Sequence, residues 1–190
     1  MPVTELTGTV AAGRYTGIEF KLGIPQDLNH ADLSSQPAPL NKSSLFWGWN
    51  LGHVFLAATS RTAALPEDDA GVDGDAGIDG ADAGGGEPGL AFNDHFTHLG
   101  SAECEGNPAL GMPVKDCARP NRAEVRLSGF DAKTQRITAD FAQIKQGSDV
   151  AVNPGCHSFT ADTCTAPFAQ LGLDFASGRP KGTQRVFRVE

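Results

Sequence analysis

Gly17-Ile18-Glu19-Phe20-Lys21-Leu22 sets the character of the chain. Ile18, Phe20 and Leu22 alternate with Gly17, Glu19 and Lys21, the two-residue period of a strand with one buried and one wet face. The period returns in Ala123-Val125-Leu127 against Glu124, Arg126 and Ser128, and in Ile137-Ala139-Phe141 against Thr138, Asp140 and Ala142. Gly129-Phe130-Asp131-Ala132-Lys133 reads as a turn, so these two strands are expected to form a hairpin. Val186 to Val189 reads as a short closing strand. Cys164 to Leu171 is the one expected helix, with Thr163 as its N-cap and Gly172 as its stop. Short strands between Gly- and Pro-rich loops predict an all-β fold, an antiparallel β-sandwich with long loops and one short helix.

The 190 residues fit a single β domain over 1–190 with room for a proper core. The net charge of −8 has one source. Pro66 to Gly89 holds eight acids and eight glycines with no Lys or Arg, and the remaining acids balance the bases. A neutral body lacks the concentrated cationic face that nucleic acid requires. No apolar run approaches the roughly 20 residues of a membrane span, so no transmembrane segment is expected. The 66–89 stretch, with its loose Asp-Ala-Gly repeat, offers too little apolar surface to offset the entropy of ordering. It is read as a disordered acidic insertion between two strands. A calcium loop using Asp73, Asp75 and Asp79 is the sharper alternative, but it lacks the EF-hand order of acids.

Four cysteines, Cys104, Cys117, Cys156 and Cys164, fall in two close pairs without the C-x-x-C spacing of zinc ribbons or thioredoxin-like sites. Three disulfide connectivities are possible. The local one, Cys104–Cys117 with Cys156–Cys164, is preferred because each bond closes a short, turn-rich loop worth about 2.5–3 kcal/mol in chain entropy. Paired cysteines point to export, with the export signal missing from the sequence given.

The histidines supply the best candidate chemistry. His30 follows a strand that ends at Gly23, His98 precedes the first cysteine loop, and His157 adjoins Cys156. These are loop positions at strand ends, where a rigid scaffold commonly presents function. His53 closes Leu45-Phe46-Trp47-Gly48-Trp49-Asn50-Leu51-Gly52-His53, which contains both tryptophans. As one unbroken strand it places Trp47, Trp49 and His53 on one face and Gly48 and Gly52 on the other, ready for close packing. No nucleophile elbow, Walker loop, dinucleotide fingerprint or H-E-x-x-H appears. A blue-copper site needs a free cysteine. Metal binding by imidazoles remains, favouring copper or zinc.

Several segments follow one family's order: Gly17 to Pro25, Leu28-Asn29-His30-Ala31-Asp32, Pro39-Leu40-Asn41, and Phe46-Trp47-Gly48-Trp49. His98-Leu99-Gly100-Ser101 with Cys104, Cys117-Ala118-Arg119-Pro120-Asn121-Arg122, and Gly155-Cys156 with Cys164 continue it. The chain resembles the MbnP-like proteins, the four-cysteine member of a "metallo-mystery pair". The resemblance implies a periplasmic or outer-surface lipoprotein of copper homeostasis that binds copper through histidines; a monomer is expected, and a soft site of few imidazoles would favour Cu(I). It also implies a partner, a MauG-like dihaem peroxidase, that oxidises a tryptophan to kynurenine. His30 and His98 match the motif histidines, and Trp47 and Trp49 the motif tryptophans, with Trp49 preferred as the oxidised residue. The chain departs from the family pattern at two places. His157 stands where Met commonly follows the third cysteine, and His53-Val54 where Tyr-Lys is frequent. His157 is therefore the expected third ligand and His53 the reserve. On this reading the protein is a binder and a protein substrate, not an enzyme. The rivals are an adhesive, calcium-dependent β-domain and a mononuclear copper redox enzyme.

Replacing Pro66–Gly89 by a short Gly-Ser linker is expected to leave the melting temperature unchanged, because loop length costs only about 0.6 kcal/mol per doubling. A large fall in melting temperature, or stability that depends on calcium, would show the insertion to be structural.

Overall fold

The computed structural model describes residues 5–48, 51–63, 92–107, 110–151, 155–159 and 161–190. The acidic insertion at 66–89 and Trp49 lie outside the described residues. The fold is all-β. The strands are β1 Gly17–Leu22, β2 Phe46–Gly48, β3 Gly52–Ala63, β4 Phe92–Gly100, β5 Ala102–Cys104, β6 Cys117–Arg119, β7 Ala123–Ser128, β8 Ile137–Ala139, β9 Gly155–His157 and β10 Phe187–Val189. Among the described residues three α-helices accompany them: α1 Gln26–Asn29, α2 Phe141–Lys145 and α3 Ala161–Gln170. Only α3 exceeds a turn or two. No helix among the described residues is long and apolar enough to cross a membrane.

The central sheet has the order β2-β3-β4-β9, and three two-stranded ladders, β1-β7, β8-β10 and β5-β6, surround it. The alternation read in β7 is real; in β1 Phe20 and Leu22 are half-buried as expected, whereas Ile18 is exposed. The two strands pair antiparallel in full register from Gly17↔Ser128 to Leu22↔Ala123, and Ala123, Val125 and Leu127 point into the protein. Both disulfides are local, Cys104–Cys117 and Cys156–Cys164.

Four expectations are corrected. β7 and β8 do not form a hairpin: β7 pairs with β1, and β8 with β10. The turn between them is closed on itself, since the Asp131 carboxylate accepts from Lys133 N and Thr134 Oγ1 at 2.9 and 3.0 Å. The β8 alternation stops at Ala139 because Asp140 caps α2, accepting from Gln143 N at 3.1 Å, which leaves Phe141 exposed at the helix start. Helix α3 begins before Thr163, whose hydroxyl instead donates to the Gly155 carbonyl at 2.6 Å, and Pro167 is accommodated inside it. The tryptophan segment is a hairpin, not one strand, with Gly48 opposite Gly52 and Phe46 opposite His53. Close packing against a glycine does occur: the Asn29 amide fills the space beside Gly52. One strand also breaks the antiparallel pattern, because β9 runs parallel to β4.

The core joins the central sheet to α3 and the C-terminal segment through Ala58, Leu99, Ala123, Ile144, Cys156, Cys164, Phe168, Leu171, Leu173 and Val186. Buried polar side chains stitch the loops to it. Asn29 is fully buried; its Oδ1 accepts from His53 N at 2.8 Å and its Nδ2 donates to Ser101 Oγ at 3.2 Å. Asn121, also fully buried, donates to the Gly100 carbonyl at 2.7 Å. Asn29→Ala orphans a buried backbone donor and is expected to destabilise the fold by about 1–3 kcal/mol. Urea unfolding checks this through the midpoint, with the slope unchanged.

Candidate metal centre

The parallel register of β4 and β9 places His98 directly beside His157. The ring centroids are 4.9 Å apart and edge-on at 85°. Ser158 locks this pairing, since its hydroxyl accepts from Gly100 N at 2.7 Å and donates to the His98 carbonyl at 3.1 Å. The disulfide from Cys156 to Cys164 fixes the same strand to α3.

Aromatic rings wall the pair. Phe96 stands 5.3 Å from His98 and 5.9 Å from His157, and Phe159 stacks on His157 at 6.1 Å. Trp47 lies 6.2 Å from His98 and 6.0 Å from Phe159. Its indole sits against Gly100, where an added Cβ would fall 2.6 Å from the ring, so this glycine is required for the contact. Phe159 is half exposed and marks the open side of the cluster.

Burial holds the His98 imidazole down at about 4, helped by the like charges of His157 and Lys145. Burial lowers His157 as well. Both rings are therefore neutral at ordinary pH, the form that donates a lone pair to a metal. His98 Nδ1 is buried and has no hydrogen-bond partner among the described residues. Two neutral nitrogens, one of them an orphaned buried atom, suit a copper ion of low coordination; zinc ordinarily takes four ligands.

The other predicted ligands are elsewhere. His30 follows α1, with its Nε2 3.1 Å from Asn29 Nδ2 and 3.4 Å from Cys117 Sγ. Its ligand atom groups with the sulfurs of Cys104 and Cys117, all within 4.8 Å of one another, and these sulfurs are joined to each other. His30, His98 and His157 do not form such a group. His53 is buried with Nδ1 2.9 Å from the Asn29 carbonyl and Nε2 2.9 Å from the Leu40 carbonyl, so both nitrogens serve the fold. Sequence reading brought out His98, His157 and Trp47 but not Phe96, Phe159 or Lys145. Phe96 had a usable signal, being two residues from His98 on one strand and hence on the same face. Lys145 had none. It is buried beneath the sheet, donating to the carbonyls of Ala58 and His95 at 3.1 and 2.9 Å and to Thr97 Oγ1 at 2.9 Å.

Comparison with known proteins follows the same lines. The family model MbnP matches residues 2–158. Among solved structures, MbnP from Methylosinus trichosporium superposes with a TM-score of 0.68 at 28% identity, covering 94% of this chain and 63% of that one. The chain thus spans less than two thirds of that protein's length. No curated protein sequence gives a significant match.

The depressed histidines link stability to acid. Between about pH 6.5 and about pH 4 the unfolded chain binds a proton at His98 that the folded chain refuses, so stability falls as the pH is lowered through that window. Denaturant unfolding across it should show this slope, and His98→Gln should flatten it. An unchanged slope in the variant would place the titration elsewhere.

Proposed function

The chain belongs to the MbnP family, and from that membership and its paired imidazoles we propose that it is an extracytoplasmic copper-binding protein of copper homeostasis. The observation that carries the reading is the juxtaposition of His98 and His157 at 4.9 Å, inside an aromatic wall and biased to the neutral form. Two imidazoles suffice for a linear or bent cuprous centre, so the bound ion is Cu(I). The nearby Lys145 cation weighs against adding further positive charge, which works in the same direction. The two disulfides agree with a periplasmic or outer-surface location.

The protein is a binder and an oxidation substrate rather than an enzyme. Trp47, next to His98 and beside the half-exposed Phe159, is the indole that a docked dihaem peroxidase would convert to kynurenine, two equivalents of peroxide supplying the oxidation and the indole C2 leaving as formate. Trp49, the alternative, lies outside the described residues.

Copper analysis of protein purified from its native compartment tests the first part. His98→Ala and His157→Ala are each expected to lose stoichiometric copper with the fold intact by circular dichroism, whereas His30→Ala retains it. Loss in His30→Ala equal to that in His98→Ala would assign the ligand set to the motif histidines instead. Copper retained by the His98→Ala/His157→Ala double variant would end the reading. Co-expression with the cognate peroxidase, followed by peptide mass spectrometry, should place kynurenine at Trp47. Unmodified indoles beside an active partner would remove the substrate role and leave copper binding alone.

A further inference from the structure

We propose that the Cys104–Cys117 disulfide conceals a second metal site, which forms with His30 when the bond is reduced and takes a thiophilic d10 cation. The three ligand atoms already lie within 4.8 Å of one another. A tetrahedral ion with a metal–nitrogen distance of about 2.0 Å and a metal–sulfur distance of about 2.3 Å sets its N···S edges at ~3.5 Å and its S···S edge at ~3.8 Å. His30 Nε2 stands 3.4 Å from Cys117 Sγ, close to the first value. The two sulfurs are bonded to each other, and cleavage of that bond lets them separate to the second.

The ring nitrogen near the sulfurs is the one that carries the lone pair. The backbone N–H of His53 donates to Asn29 Oδ1 at 2.8 Å, which fixes the orientation of that buried amide. Asn29 Nδ2 is then the group that faces His30 Nε2 at 3.1 Å, and an amide N–H can only donate. Nε2 is therefore the unprotonated nitrogen of the ring, and it is the one that lies 3.4 Å from Cys117 Sγ. On metal binding Asn29 gives up this bond while keeping its contact with Ser101 Oγ.

The arrangement does not depend on the disulfide for its shape. Cys104 and Cys117 are directly opposed on β5 and β6. Past them the ladder continues through Glu105 N to the Asp116 carbonyl at 2.8 Å, Lys115 N to the Glu105 carbonyl at 3.1 Å, and Asn107 N to the Met112 carbonyl at 2.9 Å. On the other side the Arg119 guanidinium pairs with Glu103 at 3.1 Å. These contacts keep the two thiols facing each other after the bond is broken.

Access separates this disulfide from the other one. Cys104 is half-buried, whereas Cys156 and Cys164 are both fully buried. A dithiol reductant transfers two electrons and two protons to the Cys104–Cys117 bond and itself closes to a disulfide. A divalent ion then displaces both thiol protons and binds two thiolates and the neutral imidazole. The fourth position is left to solvent.

The test uses the intact chain with Zn2+ as probe, in a His98→Ala/His157→Ala background so that the outcome is independent of the copper reading. Limited reduction with a phosphine, followed by alkylation mapping, identifies which cysteines have opened; zinc affinity is then read by competition with a chromophoric chelator. The reduced protein should bind stoichiometric zinc that the oxidised protein does not. His30→Ala should weaken it by about tenfold or more, since even outer-shell changes cost that much. Cys104→Ser/Cys117→Ser should lack it altogether. Equal zinc binding before and after reduction would overturn the proposal. So would binding that survives in Cys104→Ser/Cys117→Ser, or binding indifferent to His30→Ala in protein whose fold is confirmed by circular dichroism.

Discussion

The parallel seating of β9 on β4 is the contact on which the candidate metal centre depends. Three residues of strand make few ladder bonds and cannot by themselves hold a segment so remote in sequence. Two covalent and polar devices hold it. The Cys156–Cys164 bond, with a sequence separation of 8, ties the strand to the core helix α3 and removes about 2.5–3 kcal/mol of unfolded-chain entropy. Ser158 then extends the pairing with bonds to both Gly100 and His98. Once the register is set, parallel strands direct opposed residues to the same face, so His98 and His157 have no alternative but to meet. Burial of two basic rings side by side is what depresses both.

A second layer of order comes from asparagine rather than from apolar packing. Asn29 and Asn121 are buried: Asn29 uses both ends of its amide on neighbouring segments, and Asn121 uses its Nδ2, while the Asn121 Oδ1 has no hydrogen-bond partner among the described residues. Each connects a loop to the same end of β4, at Ser101 and Gly100. A buried amide in this position is costly unless its bonds are made, which makes the loop conformation specific rather than merely compact. The consequence reaches the chemistry, because Asn29 also dictates which nitrogen of His30 bears the proton. Histidine placement in this protein is a property of its neighbours.

The sequence was legible where the period of two was clean. β1 and β7 are the strands whose alternation was strongest, and they pair residue for residue. The local disulfides were legible because short, turn-rich loops separate their cysteines. The partner of each strand was not legible: the stretch from Gly129 to Lys133 looks like a hairpin turn, yet Asp131 uses it to redirect the chain toward β10. Alternation records which face is buried, not which edge is filled. The tryptophan segment failed for a related reason, since Gly48 and Gly52 supported either a packed strand face or a reversal, and a reversal is what formed. At the site, His98 and His157 were both named, but their direct pairing follows from a parallel crossover that no local pattern encodes. Three imidazoles in one cluster was the simpler expectation, and His30 instead sits with the first disulfide.

Lys145 shows how the core and the site are coupled through charge. Its ammonium is buried with three oxygen acceptors, the Ala58 and His95 carbonyls and Thr97 Oγ1, in place of a carboxylate partner. Burial draws it down to about 8. The fractional exposure of the whole residue, 8%, understates its isolation from counter-charge, because neutral acceptors stabilise an ammonium without cancelling its field. That field reaches His98 along β4, where it disfavours any further positive charge. Protonation of the imidazole is one such charge, and an ion brought to the imidazole pair is another. For an ion, the penalty scales with its charge, so on the copper reading the same buried lysine that adds to burial in holding His98 neutral also favours a cuprous ion over a cupric one. On that reading the ligand set and the core beneath it favour the same oxidation state for independent reasons: few, neutral donors above, and below them a cation without a carboxylate partner among the described residues.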